Sequence, residues 1–397
     1  MIRSLRQAFN ESFSEEKYRQ FLDDLDSRHP GAIDFRVAET PVFVDDKFKQ
    51  QMLEACESIV DLIIEPDFKE LTNRSIPSDD RVANETGVCN MIAFDFGVCV
   101  NEQNQLEPQL IEMQGFPTLI GMQVYIADVY KRHFNIPSDL QPYLGGFDRE
   151  SFIAYTGEIL LGGHAPENVI LLDILPHEQK TRFDFYCTRD YWGIEPVSIT
   201  DVVQDGKKLF YTKEGIRYPI HRIYNRMIFD ELHAKKEDLG NFLDIRQELD
   251  VEWVPHPNWF YRISKFTLPF IRNPYVPKTY FLHEIKQIPS DLHNYVLKPL
   301  FSFAGQGVVI DVEPSHIDAI TDPENWILQH KVRYAEVIQT PNQPAKAEIR
   351  IIYLWKDGEP RPIPALNLAR LSKGKMIGVR YNHNKDWVGG SICLFTR

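Results

Sequence analysis

The chain has 397 residues, of which 57 are acidic and 44 basic, giving a formal charge of −13 at pH 7. Hydrophobic residues make up 43% of the sequence, which is enough for packed cores and excludes a disordered chain. The acidic balance and the lack of a long Lys/Arg cluster argue against a non-specific nucleic-acid binder. At roughly 150 residues per domain, the length predicts two to three domains.

The cysteines and the N-terminal sequence bear on where the protein resides. Five cysteines are scattered without a C-x-x-C pair, which favours free thiols in a reducing compartment over disulfides or a zinc site. The N-terminus lacks the apolar segment of a signal peptide, and no uncharged apolar run approaches the ~18–20 residues of a membrane span. We therefore expect a soluble cytoplasmic protein that binds neither membranes nor nucleic acid. The sequence leaves its oligomeric state open.

The first third of the chain predicts helices followed by a β-hairpin. Apolar residues recur at helical spacing over residues 12–26 and again over residues 45–64. Residues 88–113 change to strand-like patterns on either side of a polar turn. The predicted hairpin carries Asp95 on one arm and Glu112 on the other.

The middle of the chain predicts a parallel β-α-β unit. Residues 166–229 contain a buried-type strand, a helical stretch, a second strand, a polar hairpin and a further strand. No G-x-G-x-x-G motif follows the first strand, so the sequence does not support a dinucleotide site of the usual type. A charged stretch at residues 230–240 is typical of a solvated helix, and strands and helices alternate again from about residue 250 onward.

The strongest chemical signal lies in residues 295–309, which read YVLKPLFSFAGQGVV. A strand delivers Lys298, and Pro299 ends its regular pairing. A loop with Gly305 and Gly307 then leads into the next strand. Glycines let a ligand approach the backbone, and successive N–H groups together with a nearby lysine suit a phosphate. Taken alone, the same loop is more simply explained as a plain hairpin turn.

Further segments follow this loop in a characteristic order. Residues 326–332 predict a strand, and residues 347–370 predict a hairpin with Glu348 and Arg350 on one arm and Arg370 on the other. The order of these segments resembles the nucleotide-binding half of the ATP-grasp superfamily. Within that superfamily the chain most resembles the permuted branch, namely glutathionylspermidine synthase and, more remotely, eukaryotic-type glutathione synthetase.

The resemblance extends over residues 88–395, about three quarters of the chain. It rests on the stretches AFDFGV…QLIEMQGFPTL, ENVILLDI…GIEPVSITDV, HPNWFYRISKFTLPFI, VLKP and KMIGVRYN. It implies an α/β ATP-grasp fold with a small pre-ATP β-α-β domain and a helical N-terminal region. We therefore expect residues 1–155 to form the helical region and a metal-ligand hairpin of the ATP-grasp core, residues 156–245 the pre-ATP domain, and residues 246–397 the nucleotide-binding domain.

The resemblance also implies roles for individual residues toward ATP and Mg²⁺. The implied ATP-binding residues are Lys265, Lys298, Gly305, Gln306, Gly307, Gln329 and Val332, of which Gln329 lies on the strand that would meet adenine. The implied metal ligands are Asp95, Glu112 and Gln114, and further candidates for the site are Glu348, Arg350 and Arg370. Arg380 would face the reacting acyl phosphate as the catalytic residue. The chemistry agrees, because Mg²⁺ prefers oxygen ligands and phosphoryl transfer relies on positioned cations.

The expected function is that of an ATP-grasp carbon–nitrogen ligase, which joins a small-molecule carboxylate to an amine through an acyl phosphate. The sequence departs from the family pattern at three positions. Ala93 stands where the family has arginine, Gln114 where it has asparagine, and Phe116 where it has aspartate. Two alternatives therefore stay open, an ATP-grasp phosphotransferase and a catalytically degenerate nucleotide-binding protein. The sequence does not identify the acid or the amine.

Plainer structural roles also stay open for several candidates. Asp95 and Glu112 would equally serve as strand residues that face solvent. Arg350 and Arg370 would serve as partners of Glu348 or Glu359 in exposed ion pairs, which contribute ~0–1 kcal/mol each.

Overall fold

The computed structural model describes residues 1–116, 119–301, 306–374, 377, 382 and 384–396. The α-helices in this part of the chain are α1 (Arg3–Ser12), α2 (Glu15–Ser27), α3 (Asp46–Ile63), α4 (Phe68–Leu71), α5 (Ile120–His133), α6 (Arg149–Leu161), α7 (Arg182–Trp192), α8 (Phe229–Leu239), α9 (Asn258–Arg262) and α10 (Pro314–Asp318). The strands are β1 (Val42–Val44), β2 (Met91–Val100), β3 (Leu106–Gln114), β4 (Leu140–Gln141), β5 (Val169–Asp173), β6 (Glu195–Ser198), β7 (Val203–Asp205), β8 (Lys208–Lys213), β9 (Ile216–Ile220), β10 (Arg222–Asn225), β11 (Glu252–Val254), β12 (Thr279–Phe281), β13 (Tyr295–Pro299), β14 (Trp326–His330), β15 (Lys346–Leu354), β16 (Ile363–Ser372), β17 (Gly389–Ser391) and β18 (Cys393–Thr396). Among the described residues, no helix combines the length and the apolar character needed to cross a membrane.

A five-stranded antiparallel sheet joins the first and last parts of the chain. Its strands lie in the order β17-β16-β15-β2-β3. The predicted hairpin is confirmed, since β2 pairs with β3 and places Asp95 opposite Glu112. On its other side, β2 pairs with β15, which sets Arg350 opposite Asp95. Glu348 of β15 lies opposite Arg370 of β16. The sheet therefore assembles five predicted site residues from distant parts of the sequence.

A smaller antiparallel sheet, in the order β12-β14-β13, carries the predicted lysine strand. Lys298 is the fourth residue of β13. Just before it, the backbone of Leu297 exchanges two hydrogen bonds with Val309, at 3.0 and 2.9 Å, so the intervening loop begins and ends beside Lys298. Gly307 in this loop has φ +70°, and a Cβ there would lie 3.0 Å from Pro299. The turn therefore favours glycine.

A four-stranded parallel sheet, in the order β11-β10-β5-β6, occupies the middle of the chain. The predicted parallel β-α-β unit is confirmed, since α7 connects β5 to β6 and these strands pair in parallel. β10 and β11 extend the sheet in parallel on the other side of β5. Its carboxyl edge includes Asp173 at the end of β5 and Asn225 at the end of β10. Ligands of open α/β sheets bind outside this edge.

Helices lie where the apolar spacing predicts them. α2 and α3 occupy the two predicted N-terminal stretches, and α8 occupies the charged stretch. Ser14 caps α2, because its side chain accepts a hydrogen bond from Lys17 N at 3.3 Å. α3 buries Met52 and Ile59 in the same apolar core as Phe94 of the large sheet. Full burial of one such side chain contributes about 1.5–3 kcal/mol.

The cysteines serve as apolar packing groups. All five are free and buried, which confirms the prediction of unpaired thiols. Burial raises the pKa of each thiol. Nucleophilic chemistry by a cysteine requires a thiolate, which this burial disfavours.

The end of β3 lies against the segment that leads to the smaller sheet. Gly115 N donates a hydrogen bond to Ile263 O at 2.9 Å. A Cβ at Gly115 would lie 2.3 Å from the backbone oxygen of Trp259, a residue whose side chain is fully buried. The close approach of these two backbones therefore requires glycine at this position.

Replacing Gly115 with alanine tests this close approach. We expect Gly115→Ala to lower the free energy of unfolding by about 1–3 kcal/mol, because neither backbone segment can move without disturbing the core. The measurement is urea unfolding followed by tryptophan fluorescence. Gly87→Ala is the matched control, since a Cβ at Gly87 meets nothing within 4 Å and stability should stay the same or rise slightly. Equal stabilities of the two variants would contradict the close approach.

Candidate functional site

The candidate site lies where the lysine strand of the smaller sheet meets the hairpin of the larger sheet. Lys298 Nζ donates a hydrogen bond to the backbone oxygen of Ile111 on β3, at 3.2 Å. The next residue on β3 is Glu112, whose charge acts on Lys298. Two segments that are 187 residues apart in the sequence are therefore in contact.

Lys298 is held from a second side by the strand next to it. Its Nζ donates to Gln329 Oε1 on β14 at 2.6 Å. Gln329 is 3% exposed, and its Nε2 donates in turn to Thr279 Oγ1 on β12 at 3.0 Å. Burial lowers the pKa of Lys298, and the charges of Glu112 and Glu348 oppose that shift. The ammonium group is thus fixed by neutral acceptors and has carboxylates nearby.

Lys265 belongs to the same charged cluster. Burial, reinforced by the charge of Lys298, lowers the pKa of Lys265 to about 8, and the acidic neighbours Glu112 and Asp230 oppose the shift. Asp230 is in the first turn of α8. Lys265 and Lys298 thus place two cations beside Glu112, and paired cations of this kind suit the phosphates of an anionic ligand.

A buried network of ion pairs crosses the large sheet. Arg350 donates to both carboxylate oxygens of Asp95, with Nη2 2.5 Å from Oδ2. Arg370 Nη2 lies 2.8 Å from Asp95 Oδ2 and 3.0 Å from Glu348 Oε2. The Tyr334 hydroxyl donates to Glu348. Asp95 is 1% exposed and Glu348 6%, so these are interior pairs and not the exposed pairs that the sequence left open.

The pKa values of the two buried acids shift in opposite directions. Burial raises the pKa of the Asp95 carboxyl, but Arg350 and Arg370 outweigh burial and hold this pKa below its ordinary value. For Glu348 burial prevails and raises the pKa, with Asp95 adding to the rise and Arg370 opposing it. Asp95 is therefore the ionised counter-ion that keeps two arginines inside the sheet.

The residues predicted to bind magnesium divide into two groups. Both oxygens of Asp95 are engaged by guanidinium groups. Glu112 and Gln114 are partly exposed, and Gln114 Nε2 donates to the Glu112 carboxylate. No group of three or more His, Cys, Asp or Glu side chains in the described part of the chain is arranged to hold a metal. Because Mg²⁺ takes one or two protein carboxylates plus phosphates and water, the Glu112 carboxylate and the Gln114 amide oxygen fit it.

The remaining predicted residues lie around the loop and at the end of β14. Gln306 and Gly307 are exposed in the loop after β13. The predicted strand over 326–332 ends at His330, so Val332 lies two residues beyond it. Gly305 and Arg380, two of the predicted site residues, lie outside the described residues.

One candidate that the sequence interpretation missed is Arg226, directly after β10 at the carboxyl edge of the parallel sheet. It is 7% exposed, and its Nε and Nη1 have no hydrogen-bond partner among the described residues. Its guanidinium lies over the rings of Phe116 and Phe185, at 5.1 and 5.5 Å from their centroids. Burial raises the pKa of nearby Asp173 to about 7, and the charge of Arg226 opposes the rise. Its position at the carboxyl end of a predicted strand is the sequence signal that could have identified Arg226 as a site residue.

Tyr334 and Thr279 were also missed. Each orients a predicted site residue through a side-chain hydrogen bond. Tyr334 donates to Glu348, and Thr279 accepts from Gln329. Neither belongs to a recognisable motif. Only strand pairing brings them to these partners, so no local signal identifies them.

The architecture matches that of a known structure. A glutathione synthetase-like effector from Globodera pallida, solved in its apo form, superposes with a TM-score of 0.57 over 97% of this chain and 98% of that chain. The chain has a glutathione synthetase-like fold. The two sequences are 10% identical, so the likeness extends to the fold alone. No protein-family model matches the chain, and no curated protein matches it in sequence.

Replacing Asp95 tests the interior network. Asp95→Asn leaves Arg350 and Arg370 without their shared carboxylate, and breaking a buried pair this way costs about 3–5 kcal/mol. We therefore expect the free energy of unfolding at pH 7 to fall by that amount. Urea unfolding measures it, with Asp318→Asn on an exposed helix as the control.

The pH dependence of the same variant has a predicted sign. Because the folded-state pKa of Asp95 is lowered, its stabilising effect is complete above the unfolded value of about 3.9 and is lost as pH falls through the folded value. The stability difference between wild type and Asp95→Asn should therefore be constant from pH 7 to about pH 5 and shrink below about pH 4. A difference that grows on acidification would contradict this assignment.

Proposed function

We propose that this protein is an ATP-dependent ligase that joins a carboxylate to an amine through an acyl phosphate, on an ATP-grasp fold of the glutathionylspermidine synthase type. The contact between Lys298 and the backbone of Ile111, next to Glu112, supports the proposal most directly. It sets a cationic strand beside a carboxylate, which is the pairing that a triphosphate and its Mg²⁺ require. The glutathione synthetase-like fold supports the same class of function.

In this proposal the two lysines bind the phosphates of ATP. Lys298 is fixed by hydrogen bonds, and Lys265 shares its electrostatic surroundings. Glu112 and Gln114 hold Mg²⁺, which neutralises phosphate charge and orients the transferred group. The loop that contains Gly307 begins and ends beside Lys298, and in this proposal its backbone N–H groups bind the phosphates.

The arginines provide for the acid substrate and for the charge that develops during transfer. The Arg370 side chain is 39% exposed while it contacts Asp95 and Glu348, so it is held rigidly yet open to a ligand. It stabilises negative charge on the transferred phosphoryl group, a role that Arg380 shares in our proposal. Arg226, two of whose nitrogens have no hydrogen-bond partner among the described residues, donates to a substrate carboxylate.

A second candidate function is nucleotide binding without ligation. It is favoured by the state of Asp95, whose oxygens are both occupied by arginines, and by Ala93 in place of the family's arginine. With only one hairpin carboxylate for the metal, the chain would bind ATP and turn it over slowly or not at all. A phosphotransferase that stops at a stable phosphorylated acid is the third possibility.

The test is ADP release from ATP and Mg²⁺ over a panel of small acids and peptides combined with amines. The panel includes reduced glutathione and spermidine. We expect ADP formation that requires both an acid and an amine. Lys298→Ala should weaken ATP binding by roughly tenfold or more, since it removes a charged hydrogen-bonding partner. Lys47→Ala, an exposed lysine on α3, is the matched control and should bind ATP as the wild type does.

Each alternative has its own signature in this experiment. ADP formed with an acid alone, together with a phosphorylated product, indicates a phosphotransferase. ATP binding by calorimetry without turnover over the whole panel indicates the degenerate binding protein. Unchanged ATP affinity of Lys298→Ala would contradict the assignment of the site itself.

Lys265 predicts a pH dependence of nucleotide affinity. A lysine attracts phosphate only when protonated, and the pKa of Lys265 is about 8. Between pH 7 and pH 9 its protonated fraction falls about tenfold, so ATP affinity should fall by about the same factor. Lys265→Arg, which stays protonated, should show a clearly shallower decline. Calorimetric titration at both pH values measures this, and parallel declines in the two proteins would contradict it.

A further inference from the structure

Two buried side chains behind Lys298 continue its hydrogen bonding into the smaller sheet. Lys298 Nζ donates to Gln329 Oε1 at 2.6 Å, and Gln329 Nε2 donates to Thr279 Oγ1 at 3.0 Å. The Thr279 hydroxyl donates to Pro277 O at 2.9 Å. Gln329 and Thr279 are only 3% and 2% exposed. The chain of bonds crosses all three strands of the smaller sheet, from β13 through β14 to β12.

The direction of these bonds fixes the amide of Gln329. An ammonium group has donors only, so the amide oxygen must face Lys298. The amide nitrogen then faces Thr279, whose own proton is used on Pro277 O, so that its oxygen is free to accept. Turning the amide over would place two donors against each other at Lys298. The side chain of Gln329 is therefore committed at both ends within the sheet.

A neutral partner matters for the charge of Lys298. A glutamate at position 329 would neutralise the ammonium group by forming an ion pair in this partly buried place. The amide oxygen orients the ammonium by a charge-assisted hydrogen bond and adds no negative charge that would compete with an anion. A second neutral acceptor, Ile111 O at 3.2 Å, acts in the same way.

We propose that Gln329 is a positioning residue, which with Thr279 holds the Lys298 ammonium toward the nucleotide phosphates and makes no contact with adenine. This replaces the adenine-facing role that the sequence predicts for Gln329. It rests on the proposed function, because Lys298 is taken to bind phosphate. Gln329 acts only through Lys298, so replacing it should weaken binding of the phosphates and leave binding of the base unchanged.

The test compares two probes, ATP and inorganic tripolyphosphate, which carries the phosphates without the adenosine. Calorimetry measures the affinity of each probe for wild type, Gln329→Met and Thr279→Val. We expect both variants to lose about tenfold in affinity for ATP and the same factor for tripolyphosphate. Gln329→Glu should lose more than Gln329→Met, because the new carboxylate neutralises Lys298.

The controls separate this inference from the proposed function and from simple misfolding. Gln103→Met changes an exposed glutamine and should leave both affinities unchanged. Thermal unfolding shows whether each variant is folded, and Thr279→Val gives a second route if Gln329→Met is not. Wild-type protein that binds no ATP would contradict the proposed function and the inference together.

Two further outcomes would overturn the inference while leaving the proposed function intact. Weaker ATP binding with unchanged tripolyphosphate binding in Gln329→Met would return Gln329 to a contact with the base. Unchanged affinity for both probes in both variants would show that the hydrogen-bond chain has no influence on Lys298.

Discussion

The site depends on one contact, between the strand that carries Lys298 and the strand that carries Glu112. The ammonium group of the smaller sheet donates a hydrogen bond to the backbone oxygen of Ile111, so the two sheets meet beside Glu112. Two further features of the site lie close to this contact. The loop with Gly307 begins and ends beside the lysine, and the close approach at Gly115 brings the connecting segment over the end of the hairpin.

The charged groups inside the large sheet have different partners from Lys298 at the candidate site. Asp95 uses both oxygens on Arg350 and Arg370, so a buried carboxylate keeps two cations in an interior where an unpaired charge would be costly. At the candidate site, Lys298 donates to two neutral oxygens, so neither hydrogen-bond partner cancels its charge. The hairpin thus carries one carboxylate that serves the architecture and one, Glu112, that stays open to a ligand.

The fold and the proposed activity of this protein rest on different observations. The fold is shared with a glutathione synthetase-like effector at 10% sequence identity, and such a likeness does not carry an activity with it. The proposed ligase activity rests on the particular side chains of the candidate site. Two features favour nucleotide binding without ligation, namely Ala93 and the binding of Asp95 by arginines. An activity measurement must therefore decide between the two functions.

Local patterns in the sequence determined the elements of this protein. Strand-like stretches on either side of a polar turn over residues 88–113 predicted the hairpin, and the strand–helix–strand order over residues 166–229 predicted the parallel unit, because both signals are local in the sequence. Only the tertiary structure decided which polar side chains become hydrogen-bond and ion-pair partners. Asp95 meets Arg350 across 255 residues and Arg370 across 275, while Gln329 turned out to face Lys298. Such pairings arise when strands from distant parts of the chain bury their apolar faces in one sheet, and no pattern within a single segment specifies which polar groups then meet.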